Sequence, residues 1–348
     1  MALMFPGMSA IMSGLSLAIY WIGAYLIDSA SMLNKITTFS NMVVFMNYAV
    51  QVVMSFMMLS IIFIMLPRAS VAAKRIAEVI GTKPSIKDGN IAEPSSTLEG
   101  ELEFRNVSFK YHDASDYVLE NVSFKAHKGE TVAFIGSTGS GKSTLINLVP
   151  RFYDATQGEV LIDGINVKDY TLHALHNKFG YVPQRAVMFS GTVASNVAYG
   201  DNGKSDFAQE DIEKAVEVAQ SKDFVENMSD TYNGAVAQGG TNLSGGQKQR
   251  LSIARAVFRK PEFYIFDDSF SALDYKTDRV LRSALKAASK DATTLIVAQR
   301  IGTIRHADKI IVLDEGQVTG VGTHEELMKN CKVYQEIALT QLSKEELA

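Results

Sequence analysis

Two membrane-spanning α-helices followed by an α/β domain built on a phosphate-binding loop is the architecture that this sequence predicts. Three observations predict it. Charge is segregated: of the 72 Asp, Glu, Lys and Arg residues, only Asp28 and Lys35 precede Arg68, and the other 70 fall in the last 281 of 348 positions. A G-x-x-x-x-G-K-S run occupies residues 136–143, between an apolar, β-branched stretch and a helix-like stretch. Short apolar runs suited to strands alternate with helical patterns around it.

Residues 2–27 carry no charge over 26 positions, and residues 36–67 carry none over 32. A bilayer core takes about 20 apolar residues as helix, so each run is long enough to span once. The first run lacks the Lys/Arg start of a signal peptide, and buried core helices are rarely so long and uncharged. Spans are expected over about residues 2–27 and 42–66. Tyr20, Trp21 and Tyr25 sit late in the first run, where an interfacial aromatic belt belongs. Arg68, Lys74 and Arg75 follow the second run, which puts the rest of the chain on the cytoplasmic side and the loop from Asp28 to Lys35 outside. Met42, Met46, Met54, Met57, Met58 and Met65 crowd the second run; helix packing or lipid contact is the simpler use for them than a substrate pathway. Asn47 and Gln51, one turn apart, should face other helices, since an unpaired amide in hydrocarbon is costly.

The helical pattern runs on from Arg68 to Ile80, with Lys74 and Glu78 spaced i,i+4. Gly81 and Pro84 end it, and residues 81–100 hold Pro84, Pro94, Ser95 and Ser96 as a linker. The domain boundaries expected are therefore 1–68 for the membrane part, 69–100 for stem and linker, 101–337 for the α/β domain and 338–348 for a tail. Strands are predicted over 102–109, with Asn106 as an irregularity, and over 122–126, 159–163, 179–182, 263–266 and 294–298. Helices are predicted over 211–220 and 246–258, and a hairpin over 310–318. A net charge of −4 leaves no basic footprint for nucleic acid. The single cysteine, Cys331, can form no internal disulfide and reads as a packing residue.

The chemistry-bearing residues fall in a fixed order. Residues 131–135 form a buried-strand pattern, then Gly136, Ser137, Thr138, Gly139, Ser140, Gly141, Lys142, Ser143 and Thr144 make the loop and helix start. Glycines let backbone N–H groups converge on a phosphate, and the helix start adds its positive dipole end. Lys142 is placed for the β- and γ-phosphates of ATP and Ser143 for Mg2+. Tyr111, ahead of the loop, offers a ring for adenine. Gln184 in YVPQ follows a strand and is placed to reach Mg2+ and an attacking water. Leu243, Ser244, Gly245, Gly246 and Gln247 open a helix as a second anion cradle. Asp267 ends the apolar strand of FYIFD, the arrangement of a Mg2+ partner. Ser271-Ala272-Leu273-Asp274 follows within a turn. Each has an ordinary structural use by itself; in this order they share none.

On the motifs GSTGSGKS, YVPQ, LSGGQ, FYIFDD and SALD, spread over most of residues 101–337, the chain resembles an ATP-binding cassette (ABC) transporter of the exporter type, with membrane and ATPase parts fused. The segment LPRASVAAKRIAEVI resembles the end of a last membrane helix and its stem. The resemblance implies an α/β P-loop ATPase domain with a helical subdomain carrying the LSGGQ. It also implies two such domains holding two ATP molecules, each between the phosphate loop of one and the LSGGQ of the other. It implies a multi-pass plasma-membrane protein of bacterial type in the lipid bilayer, with its ATPase domain cytoplasmic, acting on an unknown export substrate.

Three features depart from that family's pattern. Two spans stand where a half-transporter normally has six, so the expectation is its C-terminal part. Asp268 replaces the usual catalytic Glu, and Gln299 replaces the usual switch His. With Gln184, these are the candidate catalytic residues. The departures imply the degenerate-site subunit of a heterodimeric multidrug exporter, paired with a second ABC half-transporter. The alternatives are a non-hydrolysing regulatory subunit, or a soluble cassette ATPase acting on DNA, which the spans disfavour. Two spans supply too little surface to enclose a pathway. The 348-residue chain alone in liposomes is therefore expected to move no solute on addition of ATP; ATP-dependent flux there would refute the partial-transporter reading.

Overall fold

A computed structural model describes residues 4–94, 96–200 and 208–341. The chain divides into two compact units, Met1–Ser85 and Ile86–Ala348. Of the positions named above, residues 2–3 at the start of the first expected span, Ser95 and the end of the tail, 342–348, lie outside the described residues.

The first unit is two helices, α1 (Met4–Ser29) and α2 (Lys35–Gly81), joined by a tight turn in which Asn34 N–H donates to the Ser31 carbonyl at 2.9 Å. They pack on each other where a Cβ on Gly23 would overlap Met42 Sδ, so the glycine admits the thioether. This gives Met42 the packing use expected of it. No described residue of α2 is buried; Phe39, Phe45, Phe56 and Phe63 are exposed. Both helices are long and apolar enough to cross a membrane. The second begins earlier than the expected 42 and runs unbroken past Pro67, so span and stem are one helix. At 1.5 Å per residue it is about 70 Å long, over twice the roughly 30 Å of a hydrocarbon core. It ends at Gly81, where the Thr82 N–H donates to the Val79 carbonyl and the Thr82 hydroxyl to Glu78 O.

Residues 81–100 are more than a linker. Gly89 N–H and Ile91 N–H donate to the carbonyls of Tyr170 and Asp169, Thr171 N–H donates to Ile91 O, and Asp88 accepts from Leu172 N–H at 2.7 Å. A backbone with free donors and acceptors beside an exposed chain edge pairs with it; composition alone does not report that.

The second unit carries a four-stranded antiparallel sheet in the order β2-β1-β4-β5: β1 (Leu102–Phe109), β2 (Leu119–Ala126), β4 (Gln157–Ile162) and β5 (Ile165–Asn166). Asn106 is the predicted irregularity: at φ 48° it breaks the register of β1 against β2 between Phe104 and Val107. The second sheet has the order β12-β11-β3-β10-β9-β6. Its strands are β3 (Thr131–Gly136), β6 (Phe179–Val182), β9 (Phe263–Asp267), β10 (Thr293–Val297), β11 (Lys309–Asp314) and β12 (Gln317–Gly322). All pairings are parallel except the β11–β12 hairpin. A short third sheet pairs β7 (Gly191–Thr192) with β8 (Ala235–Val236).

The central runs of the parallel strands, Val132 to Ile135, Phe263 to Phe266, Leu295 to Val297 and Ile310 to Leu313, are apolar and buried because both faces are covered. Val132 and Phe134 of β3 join a core with the antiparallel sheet and with α3 (Lys142–Leu148). Ala133 and Ile135 face the other core, built with helices α6 (Gln209–Val218), α8 (Gly245–Phe258), α9 (Tyr275–Ala288) and α12 (Lys332–Gln341). The period-two alternation of a strand thus splits one apolar run between two cores. Smaller helices complete the unit: α4 (Leu172–Asn177), α5 (Val193–Val197), α7 (Lys222–Glu226), α10 (Ile301–Ile304) and α11 (His324–Asn330). The helical region from α5 to α8 shares its core with the parallel sheet rather than standing as a unit of its own. Helix α12 crosses the expected domain end at 337, since Tyr334 and Ala338, one turn apart, are both buried.

Leu295, fully buried in β10 between β3 and β9, tests this layering. Leu295→Ala should lower stability by about 2–5 kcal/mol, read as a lower denaturation midpoint at unchanged slope; a midpoint within error of the parent would mean that β10 is not central.

Candidate functional site

The site lies where β3, β9 and β10 end together. In a parallel sheet with covered faces, the carboxyl ends of strands are the open rim. β3 delivers the phosphate loop, β9 delivers Asp267 and Asp268, β10 leads to Gln299, and β6 leads to Gln184.

The loop closes on itself through Lys142. Its ammonium donates to the carbonyls of Gly136 at 2.8 Å and Ser137 at 2.6 Å, and to Ser140 Oγ at 3.2 Å. Burial pushes the Lys142 pKa down, opposed by the carboxylates of Asp268 and Asp267. Gly141 sits at φ 93° as the N-cap of α3, and a Cβ there would lie 2.8 Å from Leu119 Cδ2 and 2.9 Å from the Val118 carbonyl. Among the described residues no side chain caps α3, so its first amides stay available to an anion. Thr138 and Gly139 form the outer part of the turn, and Gly139 at φ 88° has open space where a Cβ would be.

Ser143 Oγ donates to Asp267 Oδ1 at 3.0 Å, across 124 residues of sequence. Burial pushes Asp267 up, and the hydrogen bond from Ser143 opposes that first. A hydroxyl beside one carboxylate suits Mg2+, which takes one or two carboxylates and leaves its other positions to phosphate and water. Among the described residues no hydrogen bond joins Gln184 to this pair; its Nε2 donates to Asp268 Oδ2 at 3.2 Å instead. Gln299 Nε2 donates to the same oxygen at 2.8 Å. Asp268 itself stands at φ 46°, an αL position that Asp tolerates, and its N–H donates to Val297 O at 2.9 Å. Burial raises its pKa; the amides of Gln184 and Gln299 and the charges of Arg300 and Lys142 hold it down. A cavity of about 270 Å³ opens here, lined by Asp268, Ser271, Gln299, Arg300, Thr303 and Gln341 among others.

Tyr111 lies at the other end of the loop. Its hydroxyl is 3.0 Å from Thr144 Oγ1, its ring meets those of Phe109 and Tyr153 edge-on, and it is 36% exposed, so a ring is on offer to a planar base. Among the described residues no hydrogen bond joins Leu243, Ser244, Gly245, Gly246 and Gln247 to this site. They form the start of α8 as a capping box: Ser244 Oγ accepts from Gln247 N–H at 3.3 Å, and Gln247 Oε1 accepts from Ser244 N–H at 2.8 Å. Ser244 and Gly245 are exposed, and Gly246 packs near the Ala272 carbonyl of the SALD segment.

Sequence reasoning missed several residues of the site. Arg300 faces Asp268, and Tyr181 interacts with Asp267 although it lies in the motif YVPQ. Gln341 closes the cavity from 42 residues away in sequence. Adjacency to Gln299 and to Gln184 was a usable signal for the first two; nothing local marks Gln341.

Comparison with known proteins agrees with this geometry. A family model described as ABC transporter matches residues 119–271. A Mycobacterium tuberculosis protein described as an uncharacterized ABC transporter ATP-binding protein is 42% identical over 341 residues, 98% of this chain and 57% of its own length. A Staphylococcus aureus protein described as a putative multidrug export ATP-binding/permease protein is 43% identical over 262 residues, 75% of this chain and 45% of its own. The solved structure of a bacterial Atm1-family ABC exporter with ATP bound superposes with a TM-score of 0.78 at 29% identity, covering 99% of this chain and 59% of that one. The chain therefore spans about half the length of the curated relatives it matches.

Lys142 gives the direct test of the loop. In the full chain, Lys142→Ala should weaken Mg2+-dependent ATP binding by more than about tenfold, since a charge-assisted contact is lost; ATP binding as tight as the parent's would remove the phosphate-loop assignment.

Proposed function

The chain carries an ABC transporter ATP-binding domain of α/β fold behind two apolar helices, and from that premise we propose that it works as the ATP-binding/permease subunit of an exporter. The proposed protein lies in the plasma membrane with its ATPase domain in the cytoplasm, and couples ATP binding and hydrolysis to efflux of a substrate across that membrane. Its site residues take the roles their positions support. The phosphate-loop amides and Lys142 bind the phosphates, Tyr111 carries the base, and Ser143 and Asp267 hold Mg2+. Bound there, the metal would neutralise phosphate charge. Leu243, Ser244, Gly245, Gly246 and Gln247 serve an ATP held by a second ABC half-transporter, since they stand apart from this chain's own loop.

One observation carries the finer reading that this chain's own site turns over slowly. Gln184 and Gln299 both donate to a single oxygen of Asp268, at 3.2 and 2.8 Å. Both amide bonds favour the charged form and oppose the rise that burial gives Asp268, and they occupy the oxygen that would otherwise take a proton from water. Asp is also one methylene shorter than Glu, about 1.5 Å, and a misplacement on the order of 1 Å can cost about a hundredfold. Gln299 can donate to a γ-phosphate but cannot carry a proton as His does. A heterodimer follows as the economical assembly: this site holds ATP, and the second subunit supplies the competent one.

In the co-purified pair, replacing the second subunit's catalytic carboxylate should abolish ATP turnover, while Asp268→Ala should leave most of it. Equal losses from the two changes, or full turnover by this chain alone, would sink the asymmetric reading.

A further inference from the structure

The switch residue Gln299 is followed by α10, a helix of four residues, too short to persist by itself. Both of its ends are tied by side chains from other helices. Arg282 of α9 donates from Nη1 to the carbonyls of Gly302 at 2.9 Å and Thr303 at 3.1 Å, and is itself oriented by Asp278. At the other end the N-cap position is Arg300, whose side chain supplies no cap. Gln341, at the end of α12, supplies it instead. Its Oε1 accepts from Ile301 N–H at 2.9 Å and its Nε2 donates to the Gln299 carbonyl at 2.8 Å. One amide thus spans the switch residue and the start of α10, and forms part of the cavity wall beside Asp268.

We propose that Gln341 is a positioning residue: by holding the backbone of residues 299–301, it sets where the Gln299 amide stands against Asp268, and so how firmly this site retains a nucleotide. The end of α12 then acts as an internal control on the switch. The geometry fits the task. Tyr334 and Ala338 bury α12 in the core that also takes Ile301 and Ile304, so its position is fixed relative to the segment it holds. Gln341 itself is exposed, so it can be exchanged without opening the core. The proposal rests on the reading of Asp268 and Gln299 as the nucleotide end of the site.

The test uses the full chain in detergent, Mg2+ and the non-hydrolysable analogue AMP-PNP. Gln341→Met keeps the length and removes both hydrogen bonds. It should speed AMP-PNP dissociation in a chase by about fivefold, leave association within about twofold, and speed amide hydrogen exchange at residues 299–304. Gln341→Glu keeps the acceptor for Ile301 N–H and loses the donor to Gln299 O, and should fall between Met and the parent. A merely structural role would lower the melting temperature of both variants without separating their dissociation rates. Parental dissociation in Gln341→Met overturns the proposal, and so does an equal effect of the two variants. A parent chain that binds no AMP-PNP overturns it together with the nucleotide-site assignment. Rapid ATP turnover by the parent removes only the slow-site reading, because AMP-PNP rates do not depend on hydrolysis.

Discussion

The buried carboxylate pair at the end of β9, facing the Lys142 ammonium, is the constraint on which the rest of the site depends. Two adjacent carboxylates at 6% and 9% exposure are costly unless each finds donors. The surroundings answer that cost residue by residue: Ser143 on Asp267, Gln184 and Gln299 on Asp268, with the charges of Lys142 and Arg300 nearby. The donors come from three segments, and the carboxylates from a fourth, that have only the sheet in common. Parallel strands ending at one rim are what bring a loop, a strand end and two inter-element turns within one hydrogen bond of each other.

The same sheet holds the phosphate loop in place. Its strand is buried on both faces, with Phe134 against Phe124 on one side and Ile135 in the helical core on the other. Gly136 passes so close to the Leu313 carbonyl that no side chain fits there. Packing at organic-crystal density transmits such contacts with little give. The loop is therefore presented preformed, closed by the bonds from Lys142 to the carbonyls of Gly136 and Ser137.

The two compact units obey opposite solvation rules. In Ile86–Ala348 the apolar side chains are inside, in two cores. Among the described residues of Met1–Ser85 most apolar side chains are outside, with Ile19 buried, and the hydroxyls of Ser16, Ser55 and Ser60 turn back onto their own helix, donating to the carbonyl four residues before. That is how a hydroxyl is satisfied where water is excluded. Pro67 sits within α2 without ending it.

The sequence by itself determined the class of both units, the phosphate loop, the strand that leads into it and the residue types at each motif. These are local properties: charge-free runs, period-two alternation, and fixed spacings within one turn or one strand end. Asn106 as a bulge and the helix opening at LSGGQ are legible for the same reason, since a short polar side chain or a Ser followed by Gln three residues on acts on its own neighbours. What only the tertiary structure decided are the contacts between distant segments. The pairing of Gln184 and Gln299 on one oxygen of Asp268, the bridge from residues 88–91 to 169–172, and the hold of Gln341 on Gln299 join positions 84, 31, about 80 and 42 residues apart. A side-chain amide has no periodicity and no preferred partner until packing fixes its distance and angle. Helix α12 shows this most plainly: its helical period places Tyr334 and Ala338 on one face, but only the core they enter decides which segment Gln341 meets at its end.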